Sequence, residues 1–292
     1  MRLCRFATDR LGIVRGDHVL DVTRALENLP QWRYPLPRFD PLIANLSALR
    51  PKIEALADKA EKIELTKVEL LSPIANPGKV VAAPVNYLRH LQEGRADPAL
   101  HHQNPVSEIQ RAGVFLKATS SVVGPSEGVK VRYPERRNDH EVELAAVIGK
   151  VADRVASDRA LSYVAGYCIG LDMTVRGPEE RSLRKSLDSF TVLGPWLVTA
   201  DEFPDPTSVN LSIAVNGDMR QAANTRDLIL SVAELVAYAS SFYTLIPGDV
   251  LLTGTPEGVG PVHIGDVMHA SIDHIGSMEV RVLPAEPVSC AG

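Results

Sequence analysis

Two glutamates, Glu141 and Glu143, stand at the head of the apolar run Leu144-Ala145-Ala146-Val147-Ile148 and constrain this chain more than any other feature. The run is partly β-branched, so the segment reads as a buried strand. Strand side chains alternate between faces, and residues two apart therefore point the same way. Both carboxylates converge on one side. Two like charges entering an apolar core are costly unless a cation compensates them. Oxygen donors alone suit a hard divalent ion such as Mg²⁺ or Mn²⁺. The plainer reading is a pair of solvated edge-strand carboxylates, because Glu-x-Glu by itself is common. His140 lies between Asp139 and Glu141, and alternation sends it to the opposite face, so it is not expected as a ligand.

At 292 residues the chain is long enough for one large domain, or for one domain and a small appendage. A net charge of −5 with 5% aromatic residues offers neither a basic footprint nor stacking platforms for nucleic acid. Cys4, Cys168 and Cys290 are too scattered for a disulfide framework or a thiolate metal site, and fit a reducing compartment. The segment Met1 to Phe6 lacks the apolar core of a signal peptide, and no apolar run approaches the length of a membrane span. The sequons at Asn45 and Asn210 carry little weight without a secretory signal. The expectation is a soluble cytoplasmic protein with no nucleic-acid or membrane partner.

Residues 1–72 read as a first, small α/β unit. Leu11 to Val22 has the pattern of a hairpin turning at Gly16-Asp17. Leu42 to Ala60 reads as helix, broken and restarted at Pro51. Ser72-Pro73-Ile74-Ala75-Asn76-Pro77-Gly78 is the boundary candidate, and residues 73–292 form the second unit. There Lys79 to Ala83 reads as a short strand and Asn86 to Glu93 has helical spacing. A long polar loop with His101 and His102 follows, of the kind that serves as a lid. Asp227 to Tyr243 reads as a helix with Leu228, Val232, Leu235, Val236 and Ala239 on one stripe, and Val250 to Thr253 as a strand. The fold class is α+β, with a large mixed sheet.

Further segments complete a set. The strand Gly166 to Leu171 ends at Asp172, and Arg176 stands four residues on. Then come Arg184-Lys185-Ser186-Leu187-Asp188-Ser189-Phe190 and Thr253-Gly254-Thr255-Pro256-Glu257-Gly258-Val259-Gly260. The Gly-rich turn lacks the Gly-Lys-Ser/Thr ending of a phosphate loop, so no nucleotide is expected. Together with Asn86-Tyr87-Leu88-Arg89-His90-Leu91-Gln92-Glu93, these segments resemble the fumarylacetoacetate hydrolase family in order and approximate spacing, from about residue 73 to residue 283. The first unit resembles the appended domain that many members carry.

The resemblance implies Mg²⁺ or Mn²⁺ held by Glu141, Glu143 and Asp172. A 2-keto or 2,4-diketo acid would chelate such an ion, which polarises the carbonyl and stabilises an enolate. His90 and Glu93 share a helix face, so the carboxylate can orient the imidazole as a general base for water; the plainer reading is an exposed helix pair. The resemblance makes Lys185 the catalytic countercharge and Tyr87, Arg176, Thr255 and Lys117 substrate contacts. Arg176 could dock a carboxylate bidentately or serve in a structural ion pair, and Thr255 could offer its hydroxyl to substrate or merely stabilise its turn.

The chain departs from the family at Leu171, where members have Asn, and at Glu179, where members have a substrate-facing Gln. An ionised Glu179 would repel an anion unless it turned away. The resemblance implies a divalent-metal-dependent hydrolase that cleaves a carbon–carbon bond in an acylpyruvate-like keto acid, working as a homodimer. Two alternatives stay open at the same site, decarboxylation of an oxaloacetate-like diacid and isomerisation of a 2-hydroxy-dienoate. A non-catalytic, metabolite-binding member is the remaining one.

Overall fold

The computed structural model describes residues 1–97, 100 and 107–286; His101 and His102, the expected lid around them, and Cys290 lie outside the described residues. Side-chain alternation along Val142–Ile148 organises the centre. Val142, Leu144, Ala146 and Ile148 enter one core, while Ala145 and Val147 enter a second core on the other face. The neighbouring strands split the same way. Ile169 and Leu171 of Val164–Asp172 join the first core and Cys168 the second. Val192 and Val198 of Thr191–Thr199 join the first, Leu193 and Leu197 the second. Strands covered on both faces must be apolar throughout, and these three hold the middle of a 12-stranded mixed sheet among the described residues.

Strand direction then gathers the site. Val142–Ile148 runs antiparallel to Val164–Asp172, with Glu143 opposite Gly170, and antiparallel to Val250–Leu252 on its other side. Val80–Ala82 continues the sheet parallel to Val250–Leu252, and Phe115–Lys117 pairs with it antiparallel. Glu143, Asp172, the turn after Leu252 and the helix after Ala82 therefore all lie along one edge of the sheet. A small ribbon closes over that edge, in which Asn138–His140 pairs with Thr174–Val175 and with Gly260–Pro261.

Three sequence expectations are corrected. The segment from Asp139 to Gly149 is two strands rather than one. Glu141 lies at the step between the ribbon and the large sheet, where its carbonyl accepts from the Asp172 N–H at 2.9 Å. The helix Pro41–Ala57, capped by Asp40, runs through Pro51 without a break. Proline leaves the carbonyl of Ser47 without an N–H, but both residues face solvent, where that loss is small. The later helix spans Val232–Phe242 and starts five residues late, at a Ser231/Glu234 capping box. Asn86 holds the preceding segment extended, accepting from Ile229 N at 2.7 Å and Leu230 N at 2.8 Å and donating to Leu230 O at 2.9 Å.

The hairpin at Gly16-Asp17 forms as expected. Its neighbour Arg2–Phe6 pairs with Thr191–Thr199, Leu3 opposite Leu197, and the helix Pro41–Ala57 lays Ile43, Leu49 and Ile53 on the second core. Residues 1–72 therefore share both a sheet and a core with the rest of the chain. A fragment of residues 73–292 would uncover a strand edge and apolar surface. It is expected to aggregate on expression, and a monodisperse fragment with one cooperative unfolding transition would contradict this.

Candidate active site

The strand period puts Glu143 on the face of Ala145 and Val147, and Asp172 on the face of Cys168. The step at Glu141 turns its side chain to meet them. Carboxylate oxygens of Glu141, Glu143 and Asp172, all buried, lie within 4.8 Å of one another. Three cations reach the cluster. Lys185 Nζ donates to Glu141 Oε2, Asp172 Oδ2 and Thr174 Oγ1, each at 2.7 Å. Lys117 Nζ donates to Asp172 Oδ1 at 2.5 Å and to the Lys185 carbonyl. Arg176 donates from Nη2 to Glu141 Oε1 at 2.9 Å, from Nε to Asp139 Oδ2 at 2.8 Å and from Nη1 to Leu100 O at 3.3 Å.

Glu143 is treated differently. Among the described residues its Oε2 accepts only from a backbone, the Gly254 N–H at 2.6 Å. Gly254 has φ +101°, and a Cβ there would meet Asn86 Cβ at 2.7 Å, so glycine is needed to aim that N–H. Burial pushes the Glu143 carboxyl well above its ordinary value, and Asp172 and Glu141 push it further. Burial acts upward on Glu141 too, but Lys185 and then Arg176 outweigh it and hold that carboxyl below the usual range. Lys185, Lys117 and Arg176 thus engage Glu141 and Asp172 and leave Glu143 with no cationic partner among the described residues. Three converging hard oxygen donors, one of them without a cation, fit a divalent ion.

The helix Leu88–Ala96 carries the other pair. His90 Nδ1 lies 2.9 Å from Glu93 Oε2, and His90 is buried and close enough to Glu141 to act on its charge. Glu93 Oε1 accepts the Gly258 N–H at 2.9 Å, which ties this helix to the Gly-rich turn. Gly258 has φ +91°, and a Cβ would meet Arg220 O at 2.1 Å. Tyr87 is buried beside Glu143, and among the described residues its hydroxyl has no hydrogen-bond partner. Burial, with Glu143 adding to it, raises that hydroxyl above its ordinary value.

Thr255, Arg176 and Lys117 occupy inward positions. Thr255 Oγ1 donates to Val142 O at 3.0 Å and accepts from Gln221 Nε2 at 2.8 Å. Its hydroxyl is engaged within the protein, as are the guanidinium edges of Arg176 and the ammonium of Lys117. Burial pushes the Lys117 ammonium down, with Asp172 pulling it back. His140 faces away from the triad, as alternation predicts, with Nδ1 3.2 Å from Gln221 Oε1. Glu179 has turned to Arg136, whose two nitrogens reach its oxygens at 3.1 and 2.7 Å. It presents no unpaired anion to a substrate.

Sequence reasoning missed Gln221 and Asn86 as organisers. Gln221 accepts from Val142 N at 3.1 Å and donates to Pro256 O at 2.8 Å. Asn86 donates to Thr253 O at 2.8 Å besides holding Leu230. A lone amide in a polar strand gives no signal for such a role. Asn86 did sit in a recognised segment.

The sequence profile of the fumarylacetoacetate (FAA) hydrolase C-terminal family matches residues 79–283. The maleylpyruvate hydrolase of Aquipseudomonas alcaligenes is 59% identical over 284 residues, 97% of this chain and 99% of that protein. The crystal structure of maleylpyruvate hydrolase from Sphingobium sp. SYK-6, in complex with manganese(II) and pyruvate, superposes with a TM-score of 0.83. It is 41% identical, with 98% of this chain and 100% of that chain covered. The mitochondrial oxaloacetate tautomerase fahd2 of Xenopus laevis is 36% identical over 250 residues, 81% of this chain and 75% of that protein.

The raised Glu143 carboxyl gives a signed test. A group that binds its proton better folded than unfolded stabilises the fold below its unfolded value, 4.5, and that contribution fades as pH rises through the raised folded value. Glu141 has the opposite sign, and its contribution fades only in acid. A divalent ion held by Glu143 would take the place of its proton, so the rise in Tm on adding Mn²⁺ to chelated protein should grow between about pH 5 and pH 8. A gain that is equal at both ends would contradict metal binding by Glu143.

Proposed function

The chain belongs to the fumarylacetoacetate hydrolase family, and from that premise we propose that its substrate is maleylpyruvate, cleaved with water to maleate and pyruvate. It is a metal-dependent hydrolase of a carbon–carbon bond in an acylpyruvate-like 2,4-diketo acid. The observation that carries the hydrolytic reading is the His90–Glu93 pair beside the three carboxylates. Tautomerisation and decarboxylation need no attacking water, and a buried base oriented by its own carboxylate supplies one.

Glu141, Glu143 and Asp172 would hold the divalent cation, with Mn²⁺ as in the Sphingobium relative or Mg²⁺ as the working ion. When bound, it supplies Lewis-acid polarisation of the substrate's 2-oxo group and positive charge beside the developing enolate. The chain's own residues do the rest. Glu93 Oε2 holds the Nδ1 proton of His90, which leaves Nε2 free to take a proton from water. The hydroxide so formed attacks the carbonyl of the acyl group, and the bond between that carbon and the methylene of the pyruvate unit breaks. The electron pair leaves as pyruvate enolate, which regains a proton at that methylene carbon to give pyruvate.

Lys185 and Lys117 stay fixed as countercharges because their donors are taken by Asp172 and its surroundings. Arg176 acts as a positioning residue for Glu141. Tyr87, whose hydroxyl lacks a partner among the described residues, and Thr255, through the backbone of its turn, remain the substrate contacts of this reading. The same reading takes the working form as a cytoplasmic homodimer with residues 1–72 as its appended unit. Among the described residues no helix is long and apolar enough to cross a membrane.

A proton NMR time course on maleylpyruvate tests the proposal, using chelated and Mn²⁺-restored enzyme. Maleate and pyruvate should appear together and only with metal. His90→Ala should lower kcat by about 10²–10⁴-fold, the usual contribution of a general base, while Mn²⁺ affinity stays unchanged. Cleavage that survives chelation, or wild-type turnover in His90→Ala, would overturn this mechanism.

A further inference from the structure

Most cations near the triad are tied to protein acceptors. Lys185, Lys117 and Arg176 serve Glu141, Asp172 and Asp139, while Arg136 serves Glu179. Arg184 gives its Nε to Glu179 O. Arg181 differs from all of them. Among the described residues its guanidinium has neither a carboxylate nor a carbonyl partner, and Glu180 accepts only its backbone N–H, at 3.2 Å.

Arg181 is nonetheless placed with care. It begins the short helical turn Arg181–Arg184, and Lys185 N bonds back to its carbonyl at 3.0 Å. Its Cζ lies 5.5 Å from the centre of the Phe115 ring, and Lys185 Nζ lies 5.6 Å from the same centre. The two charges are therefore within about 11 Å, the most those distances allow. The ring screens one side of the guanidinium from water, and no described residue takes its forked edge. Leaving a half-buried cation unpaired is costly, and an anionic ligand removes that cost.

We infer that Arg181 is a specificity-determining residue that receives the carboxylate of the substrate's acyl group, at the far end from the pyruvate unit. The inference rests on the maleylpyruvate reading, in which the substrate carries a carboxylate at each end. Six bonds separate those groups, so at about 3.5 Å per three bonds they lie at most roughly 7 Å apart, less across the cis double bond, a reach inside the bound of about 11 Å between Arg181 and Lys185. Burial lowers the Arg181 guanidinium from its ordinary value, with Glu141 and Asp172 opposing. Arg176, with acids on two edges, is raised instead. A planar fork recognises a carboxylate in two-point contact. Acetylpyruvate, with a methyl group in place of the carboxyvinyl end, offers Arg181 nothing to hold.

The test compares the two substrates on Mn²⁺-loaded enzyme. Arg181→Met should reduce kcat/KM for maleylpyruvate by about 10- to 150-fold, the range for hydrogen bonds to a charged group, with the loss chiefly in KM. Its kcat/KM for acetylpyruvate should stay within about threefold of wild type, which also reports an intact fold and triad. Arg181→Lys keeps the charge without the fork and should fall between. Equal losses on both substrates, or none on either, would overturn the inference. Calorimetric titration with maleate separates this from the function itself. If wild-type enzyme turns over no maleylpyruvate, the proposed function fails. Arg181 is then judged by maleate binding, where loss in Arg181→Met supports its role and undiminished binding overturns it.

Discussion

Mutual repulsion among Glu141, Glu143 and Asp172 is the constraint around which the rest is arranged. Two unit charges 4.8 Å apart repel by about 3 kcal/mol at an effective dielectric of about 20, and three such charges share this buried space. The chain answers with a ladder of alternating sign, Arg137, Asp139, Arg176, Glu141, Lys185, Asp172 and Lys117, in which each group touches the next. Glu143 stands outside it, bonded among the described residues to the Gly254 N–H alone. Burial, with Asp172 and Glu141 adding to it, drives its carboxyl upward, and it is where a divalent ion has most to offset.

The ladder works because its members come from rigid elements. Asp172 ends one central strand buried on both faces, and Glu143, outside the ladder, starts the paired one, so neither side chain moves without disturbing a close-packed core. Lys185 arrives on a turn and Lys117 on an outer strand of the same sheet. The catalytic pair is fastened separately. Glu93 orients His90 with one oxygen and anchors the Gly258 N–H with the other, so the base and the Gly-rich turn move together. Asn86 and Gln221 lock that turn from two sides through Thr253, Thr255 and Pro256.

Glu179 and Arg181 bear on substrate choice in opposite ways. Glu179 in isolation would be an obstacle to an anionic substrate, but its pairing with Arg136 removes that charge from contention. Arg181, four residues before Lys185 and beside the same Phe115 ring, adds a positive charge that no acid among the described residues pairs. A region whose cations are otherwise balanced against protein acids is thereby left attractive to an additional carboxylate.

Local pattern made much of this legible. Alternation read from the sequence put Glu141 and Glu143 on one side and His140 on the other, and the structure keeps that outcome although Glu141 reaches the cluster from the step between two strands. Helical spacing likewise put His90 beside Glu93. The step between two sheets at Glu141, the helix that passes Pro51 and the late start at Ser231 were not legible, since each depends on a partner distant in sequence. The sequence by itself determined which residues carry charge into an apolar core and which of them share a face. Only the tertiary structure decided which cation meets which acid, that Thr255 and Arg176 turn inward while Arg181 is left open, and that Glu179 is neutralised. Those outcomes follow from electrostatics and packing between segments tens of residues apart, which no local periodicity encodes.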